Sequence, residues 1–198
     1  MARLSELTDF ELPPEGRHTG VLVRFVDIGV QTGKFGSSRQ ADLAFELAGT
    51  GELNKPILAF KRVFNLSSRS KNFREVVRAL TGLHDIGQVD TRDLLGKACE
   101  IEIEYVTNEE GNTYANVECK ALKSRKPVPD PETEIVFLSL MPADFDPEDL
   151  KKVPERTREK IEASPTYRDL IATRKHVAAS KGKTAAELID DGFPENLA

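Results

Sequence analysis

The sequence predicts a mainly β fold with accessory helices: a five-stranded barrel in the order strand, strand, strand, helix, strand, strand, followed by a C-terminal extension. Three observations predict it. Residues 17 to 66 hold three apolar, β-branched stretches separated by turn residues. Residues 70 to 81 switch to an apolar spacing of three and four, and residues 99 to 121 return to a period of two on either side of a short polar turn.

The elements follow in order. Arg3 to Pro14 is a polar lead-in ended by Pro13 and Pro14, which can continue neither a ladder nor a helix. Arg17 to Ile28 is apolar and β-branched with Arg24 inserted, as in a long strand buried on one face and partly on the other. Gly29 to Ser38 reads as a loop from its Gly and Ser content. Arg39 to Leu47 alternates Ala41, Leu43, Phe45 and Leu47 with Gln40, Asp42, Ala44 and Glu46, one buried and one wet face. Gly49 to Pro56 makes a turn. Ile57 to Leu66 is a third strand, with Leu58, Phe60 and Phe64 on the side of Arg62 and Lys61 opposite.

Phe73, Val76, Val77 and Leu80 then recur at helical spacing, with Ser70 or Asn72 to cap the helix and Gly82 to stop it. A short element at Thr91 to Leu95 leads to Gly96. Cys99, Ile101, Ile103 and Tyr105 alternate with Glu100, Glu102 and Glu104; past the turn at Asn108 to Gly111, the partner strand turns Ala115, Val117, Cys119 and Ala121 inward. This order of elements is that of an OB-fold, a five-stranded, partly open Greek-key barrel. The organisation is therefore a lead-in over 1–15, the OB-fold domain over 16–126, a proline-rich connector over 127–148 and a helical, acidic extension over 149–198. Prolines on both sides make Ile135 to Leu138 an edge strand or an apolar clamp. Beyond it, Ile161, Tyr167, Leu170 and Ile171 give only a thin apolar stripe, the pattern of an appendage.

Charge points to function. Arg17 to Arg78 holds eleven Lys and Arg against five Asp and Glu, a local net of +6 in a chain whose formal charge is −5. Cations interleaved with aromatics suit single-stranded nucleic acid, because cations follow phosphates while ring faces stack on unpaired bases. The candidate binding residues are Lys34, Phe35 and Arg39 in one loop, Lys61, Arg62, Phe64, Arg69 and Lys71 in one run, and Tyr114 beside the last hairpin turn. Phe35 stands out because it sits between Gly33-Lys34 and Gly36, with no period to bury it.

Enzymatic chemistry is not expected. Gly182-Lys183-Thr184 has Val177 where a phosphate-binding loop needs its first glycine, and no buried strand precedes it. Thr184 and Glu187 read instead as a capping box. The alternation makes Glu100, Glu102 and Glu104 a solvated face, and no nucleophile, histidine and acid set appears. Cys99 and Cys119 have no histidine near them and read as small core residues. No cofactor, metal or membrane segment is expected, and the chain is placed in a cytoplasm.

Several strings in shared order resemble a family of tailed-bacteriophage single-stranded DNA-binding proteins. They are Leu12-Pro13-Pro14-Glu15-Gly16, Val26 to Gln31 leading to Lys34-Phe35-Gly36 and Arg39-Gln40, Leu94-Leu95-Gly96-Lys97, Asn112 to Val117, and Lys160-Ile161 to Ser164-Pro165. The resemblance covers most of Leu12 to Tyr167. It implies an OB-fold protein that coats single strands during phage DNA replication and recombination in the host cytoplasm, without catalysis or cofactor. Lys34, Phe35 and Arg39 match the family's pattern, whereas Lys61, Arg62 and Arg69 rest on charge and topology. Near the end, Asp190, Asp191 and Phe193 loosely resemble the acidic tip with which bacterial single-strand-binding proteins recruit replication or recombination partners. The alternative is a protein-interaction factor of such a complex, its basic patch complementing an acidic partner.

Overall fold

A computed structural model of the chain describes residues 12–33, 36–51, 55–87, 89–123, 128 and 130–180. Lys34, Phe35, Asp190, Asp191 and Phe193, and the capping box at Thr184, lie outside the described residues.

The strands are β1 Gly16–Gly33, β2 Gly36–Thr50, β3 Pro56–Val63, β4 Ala98–Thr107, β5 Thr113–Lys120 and β6 Val136–Leu138. The helices are α1 Lys71–Thr81, α2 Pro147–Lys151, α3 Glu155–Glu162 and α4 Pro165–Ser180, with a 3₁₀ turn at Thr91–Leu94. The fold is mainly β, an antiparallel sheet in the order β3-β2-β1-β4-β5, with β6 paired to β1 off that path. The return of β4 to the side of β1 after a three-strand meander is a Greek-key order. The β1–β4 ladder runs from Gly16 opposite Ile103 to Val21 opposite Ala98, and the β4–β5 ladder from Glu100 opposite Lys120 to Thr107 opposite Thr113.

The chain divides into two compact units, Met1–Arg24 with Leu43–Lys61 and Ser67–Ile135, and Phe25–Asp42 with Arg62–Leu66 and Val136–Ala198. In the first, Leu22, Leu43, Phe45, Leu47, Ile101, Ile103 and Val117 are buried. A Cβ on Gly20 would meet Ile101 Cγ1 at 2.6 Å and Phe45 Cβ at 3.3 Å, so only glycine lets β1 approach so closely there. A smaller cluster joins Val21, Val23 and Ala44, with Leu58, Ala98 and Val128 packed against it.

Helix α1 packs on β4 and β5 through Val76, Val77, Ala79 and Leu80. Its ends follow the sequence: the Ser70 side chain accepts from the Phe73 amide, and Gly82 closes the helix in the left-handed conformation. In the second unit Val26, Ile28, Val136, Leu138, Leu140 and Phe145 share a core with Leu150, Val153, Ile161, Tyr167, Leu170 and Ile171. The stripe that reads as thin in the sequence is therefore fully used, because short helices broken at Pro154 and Pro165 bring its residues together.

Three local expectations change. The loop expected over Gly29 to Ser38 is mostly strand: β1 continues to Gly33 and β2 begins at Gly36, so Arg39 stands in a strand. Cross-strand pairing overrides the turn preference of Gly and Ser, and the Thr32 and Ser37 hydroxyls bond at 2.9 Å near the hairpin's end. The third strand stops at Val63, and its buried residues are Ala59 and Val63, with Phe60 and Phe64 exposed. Both faces of that strand carry apolar residues, so alternation alone could not choose between them. Tyr105 and Ala121, expected inward, are also exposed: Tyr105 lies towards the hairpin turn and Ala121 just past the end of β5.

Candidate nucleic-acid interface

In the second unit, the sequence run Val26-Asp27-Ile28 places an acid in the middle of an apolar strand. Asp27 is only 3% exposed. Its Oδ1 accepts from the Gly29 amide at 2.9 Å, and its Oδ2 accepts from the Leu140 amide at 3.2 Å and from Arg39 Nε at 3.0 Å. Arg39 Nη2 bonds the same oxygen, and Nη1 reaches the Met141 sulfur at 3.2 Å. The Arg39 guanidinium is thus held by the fold beside β1, and its charge is matched by a buried carboxylate.

Arg62 is held in a similar way. Its Nε and Nη2 form a two-pronged pair with Asp42 at 2.7 and 2.8 Å. That hydrogen-bonded pairing raises the arginine above its usual value against the opposing effect of burial. The alternation predicts Gln40, Asp42, Ala44 and Glu46 as the wet face of β2, but Gln40 and Ala44 are buried and Asp42 is half-buried: Ala44 packs with Val21 and Val23, and Asp42 meets Arg62.

Phe64 is placed differently. Its ring is 59% exposed, yet its backbone is fixed: its carbonyl accepts from the Ser38 hydroxyl, and two residues on, the Leu66 amide donates to the Arg39 carbonyl at 3.0 Å. The structure therefore brings Phe64 and Arg39 together at one end of the β1–β2 hairpin. This is an aromatic face anchored by its main chain and left open to solvent.

The first unit holds the other candidates. Lys61 donates from Nζ to the Val117 carbonyl at 2.6 Å and so ties β3 to β5. Arg69 is exposed in the turn before α1, where its amide bonds Ser67 Oγ at 3.2 Å. Lys71 is exposed at the start of α1, 3.8 Å from Glu75. Tyr114 is 49% exposed and pairs across the ladder with Val106. Its face of the hairpin also carries Glu104, Glu118 and Glu102, the last bonded by Arg17 at 3.0 Å and by Lys120. Those acids make Tyr114 a poor neighbour for phosphate.

The sequence reading missed two features. Phe60, placed from sequence beside Leu58, Phe64 and Arg62 but not among the candidate binding residues, is 44% exposed; the neighbouring Ala59, small enough to sit under a sheet, was the available signal. Asp27 and Asp42 were the second. An acid inside an apolar run signals a buried partner, but which arginine it takes depends on pairing between strands.

The two thiols lie on adjacent strands, Cys119 opposite Ile101 and Cys99 two residues from that position. The hydrogen bond that the Cys99 thiol donates to Cys119, and then burial, push Cys99 far up, while the same bond and nearby Lys61 hold Cys119 below its usual value against the opposing effect of burial. Among the described residues no three His, Cys, Asp or Glu side chains gather as a metal site, and no helix is long and apolar enough to cross a membrane.

No protein-family model matches the chain, and no curated protein matches it.

Proposed function

We propose that the protein binds single-stranded DNA without catalysis, as an OB-fold protein of the tailed-phage type serving DNA replication and recombination. The observation that carries this reading is Phe64: a ring 59% exposed, fixed through its backbone beside a hairpin whose tip sequence is Gly33-Lys34-Phe35-Gly36. Leaving a phenylalanine exposed forgoes roughly 1.5–3 kcal/mol of burial, and Phe64 presents such a ring to solvent from a main chain fixed by hydrogen bonds. Stacking on an unpaired base would use such a ring and tolerates any sequence.

The strand order supports the fold half of the reading. An OB-fold barrel closes between its third and fifth strands, and β3 and β5 are the two ends of the sheet path here. The Lys61 bond to Val117 spans those two strands.

The test is fluorescence anisotropy of a labelled oligothymidine across a salt series, with DNA duplex and RNA competitors. Wild-type protein should bind the single strand with log affinity falling linearly in log salt. Phe64→Ala should weaken binding by about 1 to 3 kcal/mol, with the urea midpoint nearly unchanged. No binding at low salt would sink the proposal and favour the protein-interaction factor.

A further inference from the structure

The outward face of α1 carries a row of cations. Its buried residues are Val76, Val77, Ala79 and Leu80, so helical geometry puts Lys71, Arg74 and Arg78 on the opposite side, three and four residues apart. Glu75 is the only acid in the helix. The cations singled out from sequence are largely engaged: Arg39 by Asp27, Arg62 by Asp42, and Lys61 by a carbonyl. On α1 the situation differs. Lys71 approaches Glu75 only to 3.8 Å, and neither Arg74 nor Arg78 has a carboxylate partner among the described residues. Arg78 Nη2 reaches the His84 carbonyl at 3.3 Å. The Nε donors of both arginines are shielded from water with nothing to bond.

We propose that Lys71, Arg74 and Arg78 form a phosphate track, a second contact surface for the backbone of a single strand. This rests on the reading of the protein as a single-strand binder and adds residues to it. Along the helix the three cations are separated by roughly 4.5 and 6 Å at about 1.5 Å per residue, the scale on which successive phosphates of an extended strand recur. Guanidinium groups suit the role because each offers forked donors to phosphate oxygens. An acidic protein segment is the competing occupant. It would need carboxylates at a similar spacing, whereas a nucleic-acid backbone presents its charges at that interval throughout.

The experiment compares wild type, Arg74→Gln/Arg78→Gln, Glu75→Gln and Phe64→Ala in the oligothymidine salt titration, each checked for an unchanged circular dichroism spectrum and melting midpoint. The double variant should flatten the plot of log affinity against log salt by about 1.4, or 0.7 for each lost phosphate contact. Glu75→Gln should tighten binding, a gain that misfolding cannot imitate. If wild type binds, Phe64→Ala weakens it, and both α1 variants leave affinity and slope unchanged, the track is refuted while the function stands. If wild type binds no oligothymidine but is retained on a polyglutamate matrix through Arg74 and Arg78, an acidic protein is the occupant and both readings fall.

Discussion

Replacing Asp27 by Ala would strand four donors at once: the Gly29 and Leu140 amides and the Nε and Nη2 groups of Arg39. Losing one partner of a buried pair leaves the other charge uncompensated, which costs about 3 to 5 kcal/mol. Asp27→Ala should therefore lower the urea-unfolding free energy by that order. A change under about 1 kcal/mol would mean that water replaces the carboxylate and the network is incidental. Restoring a well-packed apolar pair, as in Asp27→Leu with Arg39→Met, should recover part of the loss, because neither charge then needs solvation. Arg39 shows why one residue type cannot be given one role: Asp27 on the neighbouring strand β1 matches its charge with a carboxylate.

At the scale of elements, caps and clamps set local stability. The Ser70 side chain caps the start of α1, so Ser70→Ala should cost about 1 kcal/mol and lower the melting midpoint by a few degrees. Equal midpoints would show that α1 is held by packing alone. Glu46 on β2 clamps the strand-free segment ahead of β6, its two oxygens accepting from the Glu132 and Thr133 amides at 2.9 and 2.7 Å. Partial burial pushes the Glu46 carboxyl up, but these bonds and the Thr133 side chain outweigh it and hold the carboxyl below the usual range. A carboxyl depressed in the folded state stabilises fully above its unfolded value, about 4.3 for glutamate, and the contribution fades as pH falls through the folded one. Melting curves from pH 6 to 3 should thus show a steeper acid loss for wild type than for Glu46→Gln. Parallel curves would exclude the clamp as a pH-sensitive element.

For the molecule as a whole, the C-terminal helices are part of the fold's apolar economy. Leu150, Val153, Ile161, Tyr167, Leu170 and Ile171 make up half of the second unit's core, facing Val26 and Ile28 of β1 and Val136 and Leu138 of β6. Deleting residues 147–198 should expose that half, abolish a cooperative melt and give a species that binds a hydrophobic dye. A truncated chain that melts cooperatively at the wild-type temperature would show the helices to be dispensable. Fold and candidate site differ in how far they can be read ahead. The order of strands and helix, the α1 cap and stop, and the β4–β5 hairpin were all legible, because period, capping and turn chemistry depend on residues close in sequence.

What the sequence by itself determined was the sequence of elements and the segregation of charge: apolar alternation marks a strand wherever it occurs, and the surplus of Lys and Arg between Arg17 and Arg78 exists before any folding. Tertiary structure alone decided which of those cations remain open. Arg39 and Arg62 meet Asp27 and Asp42 across strands, while Arg74 and Arg78 have no carboxylate partner among the described residues. It also chose the face of β3, burying Ala59 and Val63 and leaving Phe60 and Phe64 in solvent, and it gathered a thin stripe from α3 and α4 into a core. The physical reason is one of range. Backbone periodicity is set by neighbours along the chain, whereas ion pairing, exposure and core membership are set by residues that only folding brings within a few ångströms of each other.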